Sequence, residues 1–418
     1  MQEYSIKFKK HISNSNFYKL TPQTQEFIET KAREYRLSFQ DIKSLIDMAT
    51  DLVMWQESTI MDLWKDKGSK KETINHLKNL YKEIKKKPKS YDGFNSSSGN
   101  KKYRLIETQK NNLGFGYCPV ASPKTRCCNL LTLDAVESCG FDCSYCSIQS
   151  FYNQNQIGFD KNFKTRLQNL KLDSNKTYHI GTGQSSDSLM WGNRGGILEA
   201  LFKFARENPN VILELKSKSD NIKYLLENEI PANIISTWSL NPQTIIDNEE
   251  HLTASLEKRI KSAKAIANKG NLVGFHFHPI IVYENYLDEY RAIVDRLISE
   301  FDPNQVAMVS MGTLTFIKPV IKQLRERNFS TKILQMPLTN ASGKLSYPLE
   351  TKKEMFGEVY NMFKAWHGKV YFYLCMEDAT LWSEVFGFEY GSNDEMEGDM
   401  IEWYRKKIKI RISNNMTI

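Results

Sequence analysis

Apolar residues recur at helical spacing through the first part of this chain. Within Phe39 to Trp55 they fall three and four residues apart, which is typical of an amphipathic helix. A helix is also predicted to begin at Thr21-Pro22, where proline takes the first helical position, and a third from about Lys71 to Lys86. The pattern predicts a small helical domain at the N-terminus.

From Asn129 onward, continuous apolar runs alternate with amphipathic segments, which is typical of parallel strands joined by helical crossovers. Strands are predicted at Leu130–Val136, Tyr178–Thr182, Val211–Lys216, Ile234–Leu240, Leu272–Ile281, Val306–Met311 and Lys369–Leu374. Helices are predicted near Gly196–Glu207, Ile222–Glu227, Leu252–Asn268, Tyr286–Phe301, Lys318–Asn328 and Lys352–Phe363. Six or more such units predict an α/β fold, a full or partial barrel, with its site at the C-terminal ends of the strands.

Proline, glycine and serine interrupt the pattern between Pro88 and Asn100, which predicts a domain boundary there. The predicted organisation is a helical domain over residues 1–90, a linker over 91–115, a barrel over 116–385 and a C-terminal tail over 386–418. A chain of 418 residues suffices for one large domain and a smaller one.

Positive charge is concentrated in one stretch. Residues 65–104 hold thirteen Lys or Arg against four acidic residues, whereas the whole chain has a formal charge of +8. A basic segment of this kind is what a nucleic-acid backbone attracts. A solvated linker or helix face would have the same composition.

Targeting signals are not evident. No apolar run approaches the ~18 to 20 residues that span a bilayer, and the first ten residues lack the apolar core of a secretion signal. We therefore expect a cytoplasmic protein with no membrane partner. Its seven cysteines are an odd number, which favours metal binding or thiols over a disulfide framework.

Three of those cysteines, Cys139, Cys143 and Cys146, lie directly after the first predicted core strand. Three thiolates so spaced can hold three irons of a cubane cluster and leave the fourth iron open for chemistry. A zinc knuckle without its fourth ligand, or cysteines that merely pack, are the alternatives. The motif therefore predicts an iron–sulfur site at the C-terminal edge of the sheet.

Small and polar residues follow other predicted strands. Gly181 and Gly183 allow the backbone to approach a ligand, although a simple turn would use the same residues. Lys218 could meet a carboxylate or be a solvated lysine. His276 and His278 lie on one face of a strand. One or both are predicted to be polar pocket walls rather than a metal pair.

Four cysteines lie outside the motif. Cys118, Cys127 and Cys128 could supply a second cluster or a redox pair, but they lack a recognisable fourth ligand. Cys375 follows the last predicted strand, either as a small buried side chain or as a thiol that reaches the pocket.

Together these features resemble the radical S-adenosylmethionine (SAM) enzymes and, more narrowly, the spore photoproduct lyase family with its DNA repair photolyase-like relatives. The resemblance covers roughly residues 115–385 and rests on Cys139–Gln149, Thr182–Ser188, Lys216–Leu226, Trp238–Asn241 and Gly274–Pro279. It implies a partial (β/α)6-type TIM barrel of the radical SAM kind with an N-terminal helical extension. It also implies two cofactors, SAM and a four-iron four-sulfur (4Fe-4S) cluster on the motif cysteines.

The resemblance also implies roles for individual residues. It assigns SAM binding to Tyr145, Gly181, Gly183, Ser185, Lys218, Ser239 and His278. Tyr145 further matches one of two relay tyrosines in the lyase, while Ser147 stands at the other. Gln184 stands where the lyase has its hydrogen-donating cysteine, and an amide cannot replace a thiol in that role. Tyr145 and Gln184 are thus the expected catalytic positions.

The leading hypothesis is an enzyme that cleaves SAM reductively and uses the 5'-deoxyadenosyl radical to abstract hydrogen from a substrate, with a DNA lesion as the favoured class. Flavodoxin or ferredoxin is the expected electron donor. Two alternatives are radical modification of a peptide or small molecule, and a nucleic-acid-binding iron–sulfur protein without catalysis.

Overall fold

The computed structural model describes residues 2–96, 102–118, 124–151, 155–327, 329–341 and 343–415. Its helices are α1 Gln2–Ile12, α2 Pro22–Glu34, α3 Phe39–Trp55, α4 Ile60–Leu63, α5 Lys70–Lys86, α6 Phe163–Gln168, α7 Ile197–Glu207, α8 Lys223–Glu227, α9 Gln243–Glu249, α10 Leu256–Asn268, α11 Tyr286–Glu300, α12 Lys318–Glu326, α13 Leu349–Met362, α14 Thr380–Phe386 and α15 Asn393–Asn415. Its strands are β1 Arg104–Thr108, β2 Gly114–Tyr117, β3 Thr125–Arg126, β4 Leu131–Asp134, β5 Val136–Glu137, β6 Asp142–Cys143, β7 Gln156–Asp160, β8 Tyr178–Thr182, β9 Val211–Ser217, β10 Ile234–Ser239, β11 Glu250–His251, β12 Leu272–Ile280, β13 Val306–Thr313, β14 Thr315–Phe316, β15 Thr339–Ala341, β16 Lys344–Ser346, β17 Tyr371–Leu374 and β18 Glu377–Asp378.

A central sheet of eight strands has the order β17-β13-β12-β10-β9-β8-β4-β2. All neighbours in it pair in parallel except β2 and β4. Its seven parallel strands correspond to the seven predicted from the sequence. Within the described ranges the end strands β17 and β2 do not pair, so the barrel is open. The predicted fold class, a partial barrel with an N-terminal helical extension, is confirmed.

The central strands are apolar because both faces of the sheet are covered. Every residue of β10 and of β13 is buried, as expected for parallel strands packed between layers. Helix α7 shows the complementary pattern, since Leu198, Leu201 and Phe202 are buried against the sheet. Periodicity in the sequence therefore translates directly into layers here.

The N-terminal helices begin where local chemistry allows. Thr21 caps α2, and Ser38 forms a capping box with Asp41 at the start of α3, so backbone N–H groups at both helix starts are satisfied. These helices form a second hydrophobic core together with side chains that follow β12 and β13, including Ile281 and Leu314. The helical region thus packs on the end of the barrel where the site is expected.

Some structure lies outside the predicted elements. Strand β1 falls within residues 91–115 and pairs with β7 in a small side sheet, and the 23-residue helix α15 occupies much of residues 386–418. The domain limits given above remain a prediction. None of the helices in the described part of the chain combines the length and apolarity of a bilayer span.

Candidate functional site

The backbone of the cysteine motif is anchored against a neighbouring corner of the chain. Strand β6, within the motif, pairs antiparallel with β11. The Ser144 N–H donates to the Glu249 carbonyl oxygen at 2.8 Å, and the Cys146 N–H donates to the Cys143 carbonyl oxygen at 3.2 Å. The loop that carries the three thiols is therefore held by main-chain hydrogen bonds.

The three motif cysteines interact electrostatically. Burial raises the pKa of the Cys143 thiol, the Lys218 ammonium lowers it, and the charges of Cys146 and Cys139 raise it. The described residues hold no group of three His, Cys, Asp or Glu side chains already arranged around a metal position. The donor set itself fits a cluster, because three thiols share one loop and metal binding favours their deprotonated form.

Glu250 is a buried carboxylate that gathers four side chains. Its Oε1 accepts hydrogen bonds from the Tyr145 hydroxyl, from Lys218 Nζ at 2.8 Å and from Asn241 Nδ2 at 2.7 Å, while its Oε2 lies 2.6 Å from Arg259 Nη2. Burial would raise the pKa of Glu250, but Arg259 and Lys218 hold it well below its usual range. Glu250 is thus ionised, and it binds the motif through Tyr145.

Tyr145 and Lys218, both predicted site residues, are brought together by this arrangement. Lys218 Nζ donates to the Tyr145 hydroxyl at 2.7 Å. Burial and the Glu250 charge raise the pKa of Tyr145 well above its usual value, so the phenol keeps its proton. Lys218 therefore donates to Tyr145 and Glu250, and its charge also acts on the Cys143 thiol.

Glu249, the preceding residue, binds a different set of groups. Its carboxylate accepts hydrogen bonds from the Ser144 hydroxyl, from Tyr91 at 2.9 Å, from the Thr331 hydroxyl at 2.5 Å and from the Lys332 N–H at 2.9 Å. No cation is among these partners, and burial raises the pKa of Glu249. Two adjacent glutamates thus hold two adjacent motif residues.

The glycine-rich segment forms a tight turn after β8. Gly183 has φ +93°, and a Cβ added there would lie 2.7 Å from the Lys216 carbonyl oxygen, so only glycine is accommodated. A Cβ on Gly181 would lie 3.0 Å from the Leu130 side chain. Gln184 follows at the turn and is half-buried.

Two polar residues beyond that turn fix it to its neighbours. The Ser185 hydroxyl lies 2.6 Å from both Asp134 Oδ1 and the Val136 carbonyl oxygen. Asp187 accepts from the Lys218 N–H at 2.7 Å and from the Ser217 hydroxyl at 2.8 Å. The turn after β8 is thereby linked to the strand end that carries Lys218.

Ser239 and His278 lie farther along the sheet. Ser239 is buried and its carbonyl oxygen accepts from Arg259 Nη1 at 2.9 Å, which places it in the same network as Glu250. His278, at the end of β12, lines a cavity of about 190 Å³ together with Thr313 and Cys375. Burial lowers the pKa of His278 well below its usual value, so the imidazole is neutral.

His276 belongs to the barrel interior. Its Nε2 lies 2.6 Å from Glu214 Oε1 and its Nδ1 2.5 Å from the Ser310 hydroxyl, and Glu214 also accepts from Thr237 at 2.9 Å. Burial lowers the pKa of His276 to about 4. His276 is therefore committed to a buried polar network, and no metal-holding group of described side chains includes it.

The cysteines outside the motif converge through strand pairing. Strand β18 pairs antiparallel with β3, with Glu377 opposite Arg126, which brings Cys375 toward the Cys127-Cys128 pair. A hydrogen bond with Cys128 lowers the pKa of Cys127 to about 6, and the same interaction with burial raises the pKa of Cys128. These thiols form a second group, again without metal-holding geometry among the described residues.

Sequence reasoning missed the groups that position the motif. Glu249, Glu250 and Arg259 lie at the end of α9, in β11 and in α10, and none follows a predicted strand or belongs to a recognisable spacing. The only available signal was two adjacent glutamates followed by a histidine, a run that is common on surfaces. Their burial depends on tertiary packing.

Comparisons with known proteins agree with this architecture. The sequence profile of the spore photoproduct lyase family matches residues 130–348, just over half of the 418-residue chain. Spore photoproduct lyase of Clostridium acetobutylicum is 31% identical over 111 residues, which are 27% of this chain and 33% of that protein. The Bacillus subtilis (strain 168) enzyme is 25% identical over 126 residues, 30% of this chain and 36% of that protein. The chain thus matches about a third of the length of these relatives.

Solved structures extend the similarity at the level of the fold. A spore photoproduct lyase mutant with dinucleoside spore photoproduct gives a TM-score of 0.55 at 18% identity, over 65% of this chain and 82% of that chain. A second mutant, with bound AdoMet and dinucleoside spore photoproduct, gives 0.55 at 17% identity, over 71% of this chain and 94% of that chain. With the profile match across the site, the chain belongs to the spore photoproduct lyase family.

Proposed function

We propose that this protein is a radical SAM enzyme of the lyase-like branch, with a 4Fe-4S cluster on Cys139, Cys143 and Cys146. The observation that carries the proposal is the anchored cysteine loop after the first parallel strand of a barrel whose sequence matches the family. When bound, the cluster supplies the electron that cleaves SAM to methionine and a 5'-deoxyadenosyl radical, which takes hydrogen from the substrate.

In this proposal the protein's own residues bind and orient the cofactors and adjust the pKa of the ligating thiols. Burial raises the pKa of Cys143 above its usual value, and the Lys218 ammonium opposes that rise, which favours the thiolate that ligation needs. Glu250 fixes Tyr145 and Lys218 in place. A second set of residues is proposed to line the SAM site through backbone and small side chains: Gly181, Gly183, Ser185, Ser239 and His278.

We propose nucleic acid as the substrate class, with a DNA lesion as the specific candidate. Both solved structures described above contain dinucleoside spore photoproduct. Exposed basic residues remain available within the 65–104 segment; they include Lys65, Lys67, Lys71, Lys82, Lys86, Lys87, Lys102 and Arg104. A flavodoxin- or ferredoxin-type donor is the proposed source of electrons.

Gln184 favours a second candidate, radical modification of a peptide or small molecule. The half-buried amide occupies the turn after β8, where the resemblance places a thiol. Without a thiol at that position, the radical formed on the substrate must be quenched differently. A changed quenching step is compatible with a changed substrate.

The experiment is anaerobic reconstitution with iron and sulfide, followed by reduction in the presence of SAM. We expect 5'-deoxyadenosine from the unmodified protein and none from Cys143→Ala. Cys118→Ala, outside the motif, is the matched control and should retain both iron and product. A cluster that forms without yielding 5'-deoxyadenosine would contradict the proposal.

Substrate class is tested by isotope transfer. A deuterated DNA lesion should pass deuterium to 5'-deoxyadenosine if DNA is the substrate. Binding to DNA should also weaken steeply with salt, because counterions are released from the phosphates. Transfer from a peptide and not from DNA would favour the second candidate.

A further inference from the structure

We propose that Glu249 is a positioning residue through which the N-terminal helical region holds the cysteine motif in its working geometry. The inference rests on the proposed function, because its consequence is that Glu249 determines the environment of the cluster. Its physical basis is a continuous chain of buried hydrogen bonds that runs from α3 to the motif.

The motif end of this chain is Ser144, between two of the three proposed ligands. Its N–H donates to the Glu249 carbonyl oxygen at 2.8 Å and its hydroxyl donates to the Glu249 carboxylate. Ser144 and Glu249 are both fully buried. Glu249 therefore binds both the backbone N–H and the hydroxyl of Ser144.

The other end of the chain is the C-terminus of α3. The Thr331 N–H donates to the Met54 carbonyl oxygen at 3.0 Å, and Lys332 Nζ donates to the Trp55 carbonyl oxygen at 3.0 Å. The same two residues bind the Glu249 carboxylate through the Thr331 hydroxyl and the Lys332 N–H. Segment 331–332 thus connects α3 to Glu249.

Tyr91 provides a second connection from the N-terminal side. It is 7% exposed, its hydroxyl donates to Glu249 Oε1 at 2.9 Å, and its ring packs edge-on against Tyr283 and Phe94. Tyr91 lies shortly after α5, which ends at Lys86. Tyr91 and segment 331–332, both next to the helical region, therefore donate to the same Glu249 carboxylate.

The C-terminal end of α12 links the same partners once more. Arg325 lies 2.7 Å from Asp51 of α3, and Arg327 lies 2.5 Å from Asp142 of the motif. The helical region is therefore tied to the motif at Asp142 as well as at Ser144. The contact at Glu249 differs because one carboxylate satisfies four donors, whereas each arginine partner of Asp51 and Asp142 is partly exposed.

Removing the Glu249 carboxylate would leave buried donors without an acceptor. Such losses cost more than the loss of one exposed hydrogen bond. Because Glu250 follows directly and holds Tyr145 and Lys218, displacement of Glu249 would also move that network. The structure therefore predicts that changes at Tyr91, far from the motif in sequence, alter the motif.

The test is amide hydrogen exchange of residues 142–146 in the full-length chain, measured before any iron is added. Tyr91→Phe should raise exchange there about fivefold, the equivalent of one lost hydrogen bond. Glu249→Leu should raise it more, and Glu249→Gln, which keeps a carbonyl acceptor, should fall between the two. Tyr4→Phe, which removes a hydroxyl bound to the Leu37 carbonyl oxygen, is the matched control without effect on the motif.

After reconstitution, the midpoint potential of the cluster should shift in Tyr91→Phe and Glu249→Gln but not in Tyr4→Phe. Unchanged exchange and potential in folded Tyr91→Phe and Glu249→Gln proteins would overturn the inference, as would equal changes in Tyr4→Phe. Altered exchange in a protein that yields no 5'-deoxyadenosine would support the positioning of the motif and contradict the radical SAM activity.

Discussion

The two groups of cysteines in this protein lie in opposite settings. Cys143 of the motif is a thiol whose pKa burial raises, beside a lysine and two anchoring glutamates. Cys127 of the second group has a pKa lowered to about 6 by its neighbour Cys128. The comparison shows that closeness of thiols is not enough to define a role. Buried glutamates bind the residues between the motif thiols, whereas the Cys127 thiol interacts with its neighbour Cys128 and its backbone N–H donates to Asn393 Oδ1 at 3.0 Å.

The largest expected difference concerns iron. Replacing Cys143 by alanine should abolish cluster formation, because a cubane held by three thiolates loses one of its ligands. Replacing Cys128 by alanine should leave iron content unchanged. Iron and sulfide analysis after anaerobic reconstitution measures both, and loss of iron in Cys128→Ala would make the second group part of the metal site.

The next effect concerns the support of the motif. Glu250→Ala should lower the free energy of unfolding by about 3–5 kcal/mol, because it leaves the buried Arg259 guanidinium without its carboxylate. Chemical denaturation measures this. Glu257→Ala, which removes surface ion pairs with Lys261 and Arg296, is the control and should change stability little. A similar small loss in Glu250→Ala would contradict the proposed anchoring.

A pH titration separates the thiol groups directly. The measurement is the difference in thiolate ultraviolet absorbance between the unmodified protein and Cys127→Ser, both free of iron. This difference should titrate near pH 6, since the hydrogen bond from Cys128 stabilises the Cys127 anion. Absorbance lost in Cys143→Ser should titrate above the ordinary thiol range, because burial dominates there. Cys128→Ala should move the Cys127 titration upward; an unmoved titration would assign the shift to another cause.

The lowered pKa of Cys127 also makes the stability of the protein depend on pH. A thiol whose pKa is lowered in the folded state contributes stability at pH values above its unfolded pKa, and this contribution is lost as pH falls through about 6. Cys128, whose pKa is raised, acts in the opposite sense. The difference in unfolding free energy between the unmodified protein and Cys127→Ser should therefore shrink at low pH, as denaturation at several pH values will show.

The smallest effect is expected at Cys375. Cys375→Ala removes one partly buried sulfur that packs against the core, so the loss of stability should be about 1 kcal/mol. Thermal denaturation measures it, with iron content as the second readout. Full iron content is expected, and a reduced one would connect Cys375 to the motif.

Much of the fold could be predicted because strand and helix periods are local properties of the chain. All seven parallel strands follow from apolar runs, and the helix Phe39–Trp55 and the three-cysteine motif follow from spacing. The C-terminal-edge rule then placed the glycine turn, Lys218 and His278 on one side of the sheet. Their individual contacts did not follow from it.

Other features resisted prediction because composition does not reveal orientation. Within the basic segment, Lys89 is 3% exposed and donates to the Lys85 carbonyl oxygen at 2.7 Å, and burial lowers its pKa to about 8. Lys85 lies over the rings of Trp55 and Tyr81. Part of the charge counted along the sequence is therefore turned toward the protein.

The sequence by itself determined the parallel strands with their helical crossovers and the three thiols after the first of those strands, because apolar runs and close spacing are local properties of the chain. Only the tertiary structure decided what supports those thiols. Glu249 and Glu250 lie more than a hundred residues after the motif, and their burial, opposite pKa shifts and different partners arise from packing between segments that are distant in sequence.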